Sequence, residues 1–265
     1  MTALNIIFIF VIVGTIILWK LDKIYIRLNF LNNKAEEEKI FDIEELLKEL
    51  DQEITVAAQA FFAWKSIHNV ASKDKSVEQA LNKNALSWNI CLHSLQSTFF
   101  IAIGRIFDVN PQSCSIHLLF RQCKNSIGKF SKYSLEQRRI DEAGGNKPDY
   151  LDSFIKEAYV PKQADFKKLK KNISKVQKTY EKNFRPVRHK VFAHNDSEYI
   201  KNPGELFAEA TIDDAEEILN TLYKVERAIW NLYSNGKEMN FEYWNLKEEE
   251  YVLNDIEFLL NKLKI

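Results

Sequence analysis

Glycine and proline are scarce in this chain, 7 and 5 in 265 residues. A many-stranded protein needs those residues for its turns, so their scarcity argues against sandwiches, barrels and propellers and favours long helices. Cysteine is scarce too: Cys91, Cys114 and Cys123 are an odd set that builds no disulfide framework, which fits free thiols in a reducing compartment. Net charge is absent, with 37 basic and 37 acidic residues, so any attraction for a polyanion must be local. A phosphate-binding glycine loop, a dinucleotide fingerprint, a paired zinc motif, a fixed-period repeat and a low-complexity tract are all missing. What the chain does have is 46% hydrophobic residues, 18 of its residues being phenylalanine, enough for a packed core.

The amino terminus carries no charge from Met1 to Trp19, and Ile6 to Trp19 is nearly all apolar. That length is near the ~20 residues a membrane-spanning helix requires. Lys20, Lys23 and Arg27 follow the apolar run instead of preceding it, which disfavours a cleaved signal peptide and orients the rest of the chain to the cytoplasm. The expectation is a single-pass anchor in the inner membrane through residues 1–19; a soluble cytoplasmic protein with this segment buried in a core is the alternative. Residues 1–31 are then anchor and stalk, and 32–40 a polar linker.

Ile43, Leu46, Leu47, Leu50, Ile54, Ala57 and Phe61 predict an amphipathic helix to about Val70. Ser76 to Lys83 reads as a polar break. Trp88 to Asp108 predicts a second long helix, stopped at Asn110-Pro111, with Ser113 or Ser115 capping a shorter one. An irregular insertion is expected at about 130–161, with a short helix near Leu151 to Ala158. Phe166, Leu169, Ile173, Val176 and Tyr180 predict a helix leading to Pro186, which should kink it or open a new one. Asn202-Pro203-Gly204 reads as a loop. Thr211 starts a helix that Asn235-Gly236 ends, and residues 237–265 form a C-terminal helical extension.

Chemistry concentrates at Phe184 to Asp196. Between Pro161 and Lys190 there are 11 basic and 2 acidic residues, a local charge of 11 minus 2, or +9. That density attracts a phosphate backbone; pairing with the acidic stretch Asp196 to Glu226 is the competing reading. Histidine can move a proton at a ribose hydroxyl or leaving oxygen, and arginine's planar fork suits the charge growing on a phosphate. On an ideal α-helix of roughly 100° per residue, Arg188 and His194 lie roughly 120° apart, so a site using both needs the kink, a bridging phosphate or a second chain. Cys114, His117 and Cys123 are too few for a tetrahedral metal set and read as buried thiols and a surface histidine. His68 and His93 read as structural, and Arg105 with Asp108 as a local pair.

The stretch Arg188-His189-Lys190-Val191-Phe192-Ala193-His194 resembles the signature of the HEPN superfamily, an arginine, a polar residue and a histidine after roughly four to six spacers, in the form of its abortive-infection and toxin branch. Phe99 to Asp108 is similar to an earlier helix of that branch. The resemblance implies an all-α, HEPN-like bundle over residues 41–236, a homodimer that pairs two motifs, and metal-independent cleavage of RNA in phage defence or toxin systems. It makes His194 the proton-transfer residue, Arg188 the phosphate ligand and His189 the polar neighbour, with Asn195 and Asp196 in secondary roles. Lys178, Lys182, Arg185 and Lys190 are the expected RNA-binding cations. No cofactor is implied; an antitoxin protein is an expected partner. A subfamily with a tyrosine two residues after the histidine is regulated by nucleotide transfer, but Asp196 occupies that position here. A non-catalytic RNA- or nucleotide-binding module and a membrane-tethered protein-interaction domain remain as alternatives.

Overall fold

The computed structural model describes residues 41–193, 203–239, 241 and 246–263; the expected anchor and linker lie outside them. Among the described residues there are helices and no strands, and no helix is long and apolar enough to cross a membrane.

Helix α1 (Ile43–Lys73) begins where Asp42 and Glu45 close a capping box, each carboxylate accepting from the other end of the first turn. Its buried ridge of Leu46, Leu47, Leu50, Ile54, Ala57 and Phe61 follows the predicted spacing. The expected polar break at Ser76 to Lys83 is instead helix α2 (Lys75–Lys83). Asp74 caps it by accepting from the Ser76 and Val77 amides, and Val77 is its one buried residue. A helix with so short an apolar stripe has no periodic signal to read.

Helix α3 (Ala85–Ile106) packs along α1 through Phe99, Phe100, Ala102, Ile103 and Ile106. Ser115 then caps α4 (Ile116–Asn125). The expected irregular insertion is ordered: a 3₁₀ turn at Ile127–Phe130, α5 (Lys132–Glu142) and α6 (Leu151–Glu157). Two arginines explain why. Arg138 and Arg139 donate to the carbonyls of Tyr233 and Ser234, both at 2.6 Å, neutralising the carboxyl end of a later helix from outside.

Helix α7 (Gln163–Thr179) buries Phe166, Leu169, Ile173 and Val176. Pro203-Gly204, expected as a loop, instead opens α8 (Pro203–Glu209), in keeping with proline's fitness for a first turn. Thr211 caps α9 (Ile212–Asn235), and Gly236 ends it in the left-handed region at φ 53°. α10 (Glu248–Asn261), expected as an extension, lies against α1, and Lys65 joins α1 to Glu216 and Glu249 on α9 and α10. The acidic stretch after the motif meets the basic helix at Lys175–Glu217, and Asp214 accepts from Asn183 just beyond that helix.

Gly236 has a second constraint besides its φ. A Cβ there would lie 2.7 Å from Leu135 Cδ2 and 2.8 Å from Ala158 Cβ. Gly236→Ala should therefore lower the unfolding free energy by roughly 1–3 kcal/mol, measurable by urea denaturation; unchanged stability would show that the α5–α6–α9 junction is looser than the structure indicates.

Candidate functional site

Past Thr179 the helix changes pitch twice. Tyr180–Phe184 is a π turn, Arg185–Val187 a single α turn, and Arg188–Ala193 a second π turn. Proline at 186 offers no amide to the turn before it, and a π turn widens the ladder by one residue. The expected kink is therefore a pair of π turns around Pro186, and the ideal-α angle between Arg188 and His194 does not apply here. His194, Asn195 and Asp196 lie outside the described residues.

Tyr180, Phe184 and Val187 remain buried through the change of pitch, so this face stays pressed on α3. Phe184 meets Phe99 and Phe100, and Phe192 stacks on Phe100 with ring centres 5.1 Å apart. Packing of this density fixes the backbone of the motif.

Arg188 crosses α3 at Gly104. A Cβ on that glycine would stand 2.1 Å from Arg188 Nε and 2.3 Å from its Cδ, so only glycine leaves the groove in which the side chain lies. The guanidinium is half-buried, its charge acts on the Tyr180 hydroxyl, and its Nε is shut from solvent with no acceptor among the described residues. Tyr180 in turn stacks on Phe107 at 4.7 Å. Burial raises the Tyr180 pKa against the opposing pull of Arg188 and Arg185, so it stays a neutral phenol.

Asp108 supplies the negative field at this end of α3. Burial pushes its carboxyl up, but hydrogen bonds from the Asn110 amide (3.0 Å) and Ser113 Oγ (2.7 Å), with the Arg188 charge nearby, hold it below the usual carboxylate range. Arg105 does not pair with it: its partner is Glu53 on α1, at 3.0 Å. The expected Arg105–Asp108 pair is thus replaced by two separate contacts, because Arg105 points away along the exposed side of α3.

Lys171, Lys175, Lys178, Lys182, Arg185 and His189 are all exposed. Lys190 is half-buried. The motif's arginine and the expected RNA-binding cations thus occupy one continuous helical segment, the arginine turned toward α3 and most of the cations toward solvent. Sequence reasoning passed over Gly104 and Tyr180. The signal for the first was a glycine in the middle of a strongly apolar helix, which costs about 1 kcal/mol relative to alanine and so asks for a reason.

His68 is held below its ordinary pKa by burial and packs edge-on to Trp64 at 4.6 Å, in keeping with a structural role. His93 lies 5.7 Å from the Phe192 ring, so α3 brings it to the motif, a proximity its helical spacing gave no reason to expect. Cys123 is buried, and burial pushes its thiol well up. Among the described residues no group of three or more His, Cys, Asp or Glu gathers as a metal set.

A bundle that is all-helical among the described residues, with Arg188–Ala193 locked on a second helix at the end of a long basic helix and His194 next in sequence, defines a HEPN-type module of the abortive-infection branch. The chain belongs to the HEPN_AbiU2 family, described as AbiU2, which it matches over residues 41–253. Comparisons with curated proteins and with solved structures give no match.

Proposed function

We propose that this AbiU2-family protein is an endoribonuclease of phage-defence or toxin type that cuts RNA through the adjacent 2'-hydroxyl without a metal ion. The observation that carries the reading is Arg188: a guanidinium locked in a glycine groove, its buried Nε without an acceptor among the described residues, at the end of a run of exposed cations. In the proposed reaction His194 takes the proton of the 2'-hydroxyl, O2' bonds to phosphorus, the P–O5' bond breaks, and the protonated His194 of the second copy gives O5' its proton as it leaves. Arg188 meets the charge growing on the non-bridging oxygens. His189 is the polar neighbour, while Asn195 and Asp196 keep supporting roles.

A homodimer forms part of this proposal, supplying a second motif across the axis. Leu86 and Ile90, 77% and 61% exposed on α3, give that helix an apolar face suited to a second copy. An antitoxin protein is the proposed brake, and residues 1–19 the proposed tether to the inner membrane. Fractionation of the intact chain and of one beginning after Lys20 tests the tether; identical soluble distributions would remove it.

The test of catalysis compares cellular RNA integrity and growth on expression of wild type, Arg188→Ala and His194→Ala. His194→Ala should lower cleavage by roughly 10²–10⁴-fold. Wild-type products should carry 5'-hydroxyl and 2',3'-cyclic phosphate ends and should form in excess chelator. Three proteins with the same effect on RNA and growth would end the proposal.

A further inference from the structure

Helices α4 and α7 face each other across a cleft of about 590 Å³. Each helix presents one ridge at intervals of four and three residues: His117, Arg121 and Lys124 from α4, and Gln163, Lys167 and Lys170 from α7. Phe120 and Phe166, both buried, form the floor, and among the described residues no carboxylate lines the space. Four cations gathered around one cleft repel one another, in a protein whose total charge is zero. Such an arrangement is relieved by a bound anion.

His117 points to the same chemistry. Its Nε2 is shut from solvent without a partner among the described residues. Burial, followed by repulsion from Lys170, holds its pKa below the ordinary value, so the ring is a neutral hydrogen-bonding group rather than a fifth charge. The charges of Glu181 and Asp108 also reach this ring, and Asp108 in turn feels Arg188, which puts the His117 end of the cleft toward the pocket of Arg188.

We infer that the α4–α7 cleft binds phosphates of a single-stranded RNA, holding the strand beside the Arg188 site. The phosphate chemistry rests on the cleft itself; the identification of the strand as RNA rests on the function proposed above. Arg121 already donates to the Pro111 carbonyl at 2.8 Å, which pre-orients one cation, while Lys124, Lys167 and Lys170 stay exposed to meet the backbone.

The experiment uses the His194→Ala chain, so that bound RNA stays intact, and a fluorescein-labelled oligouridylate as probe in an anisotropy titration across salt concentrations. Two triple variants are compared. Lys124→Ala/Lys167→Ala/Lys170→Ala empties the cleft of exposed charge, and Lys73→Ala/Lys75→Ala/Lys83→Ala removes equal charge from exposed positions that do not line it. The cleft triple should bind at least tenfold more weakly at low salt and shed about 2 from the slope of log affinity against log salt, roughly 0.7 for each lost contact. Lys170→Glu alone should weaken binding in the same direction, and circular dichroism checks the helices of each variant. Equal affinities for the two triples would overturn the inference, as would strand binding that ATP abolishes at equimolar concentration, which marks a free-nucleotide site. Because the readout is binding by a chain made unable to cut, it stands apart from the cleavage test.

Discussion

Gly104→Ala should abolish the proposed RNA cleavage as thoroughly as Arg188→Ala should, while leaving thermal stability at or above that of wild type. Within a helix, alanine is favoured over glycine by about 1 kcal/mol, so the substitution by itself strengthens α3. The new Cβ, however, would lie 2.1, 2.3 and 2.8 Å from Nε, Cδ and Cζ of Arg188, all inside van der Waals contact. The obstruction is the end of a flexible side chain, so relief is cheap: Arg188 swings out of its groove. The guanidinium then leaves Tyr180 and the field of Asp108. A misplacement of about 1 Å in a positioned group can cost about 100-fold in rate, and this one is larger. Gly128→Ala is the matched control, since a Cβ there meets nothing within 4 Å. Full cleavage by Gly104→Ala would mean that Arg188 does not work from the groove.

The long helices were legible because their apolar periodicity and caps agree. Asp42, Ser115, Thr211 and Gly236 each sit at the end of a run whose buried residues repeat at three and four. Helices α2 and α5 were illegible for the opposite reason. Each buries a single residue, Val77 or Leu135, and is held by a cap and, in α5, by two arginines reaching carbonyls some 95 residues away in sequence. A contact so distant leaves no local trace.

The site was half legible. The arginine, the motif and the basic run could be read directly, but two features depend on three dimensions. The π turns break the 3.6-residue period that the angular argument assumed, and the groove at Gly104 exists only because α3 and the motif cross there. Tyr180 was read as one more member of an apolar seam, whereas its hydroxyl end meets Arg188. His117 was read as a surface residue, but the packing of α4 on α7 buries about half of it.

Glu226→Gln should stabilise the protein at alkaline pH and flatten its stability profile. Glu226 is 1% exposed on α9, and burial, opposed by Arg227 and reinforced by Asp51, pushes its pKa from 4.5 up to about 8. Arg227 Nε comes within 3.0 Å of Glu226 Oε2 but is misaligned for a hydrogen bond, and neither Glu226 oxygen has a hydrogen-bond partner among the described residues. The Arg227 guanidinium is instead engaged with Asp51. A folded-state pKa above the unfolded value means that the folded chain holds the proton more tightly. The associated stability is whole below about pH 4.5 and is lost as pH rises to about 8. At about 1.36 kcal/mol per unit, the full loss is on the order of 5 kcal/mol. His68 and His117, both with lowered pKa values, work in the other direction near neutrality, so the wild-type profile alone mixes these effects. The difference between wild type and Glu226→Gln isolates the carboxyl: below about 1 kcal/mol at pH 5, and growing to several kcal/mol by pH 8. For a chain of this size each kcal/mol moves Tm by about 2–4 °C, so calorimetry across that range resolves it. Parallel profiles would show that Glu226 stays charged and is stabilised by Arg227 after all.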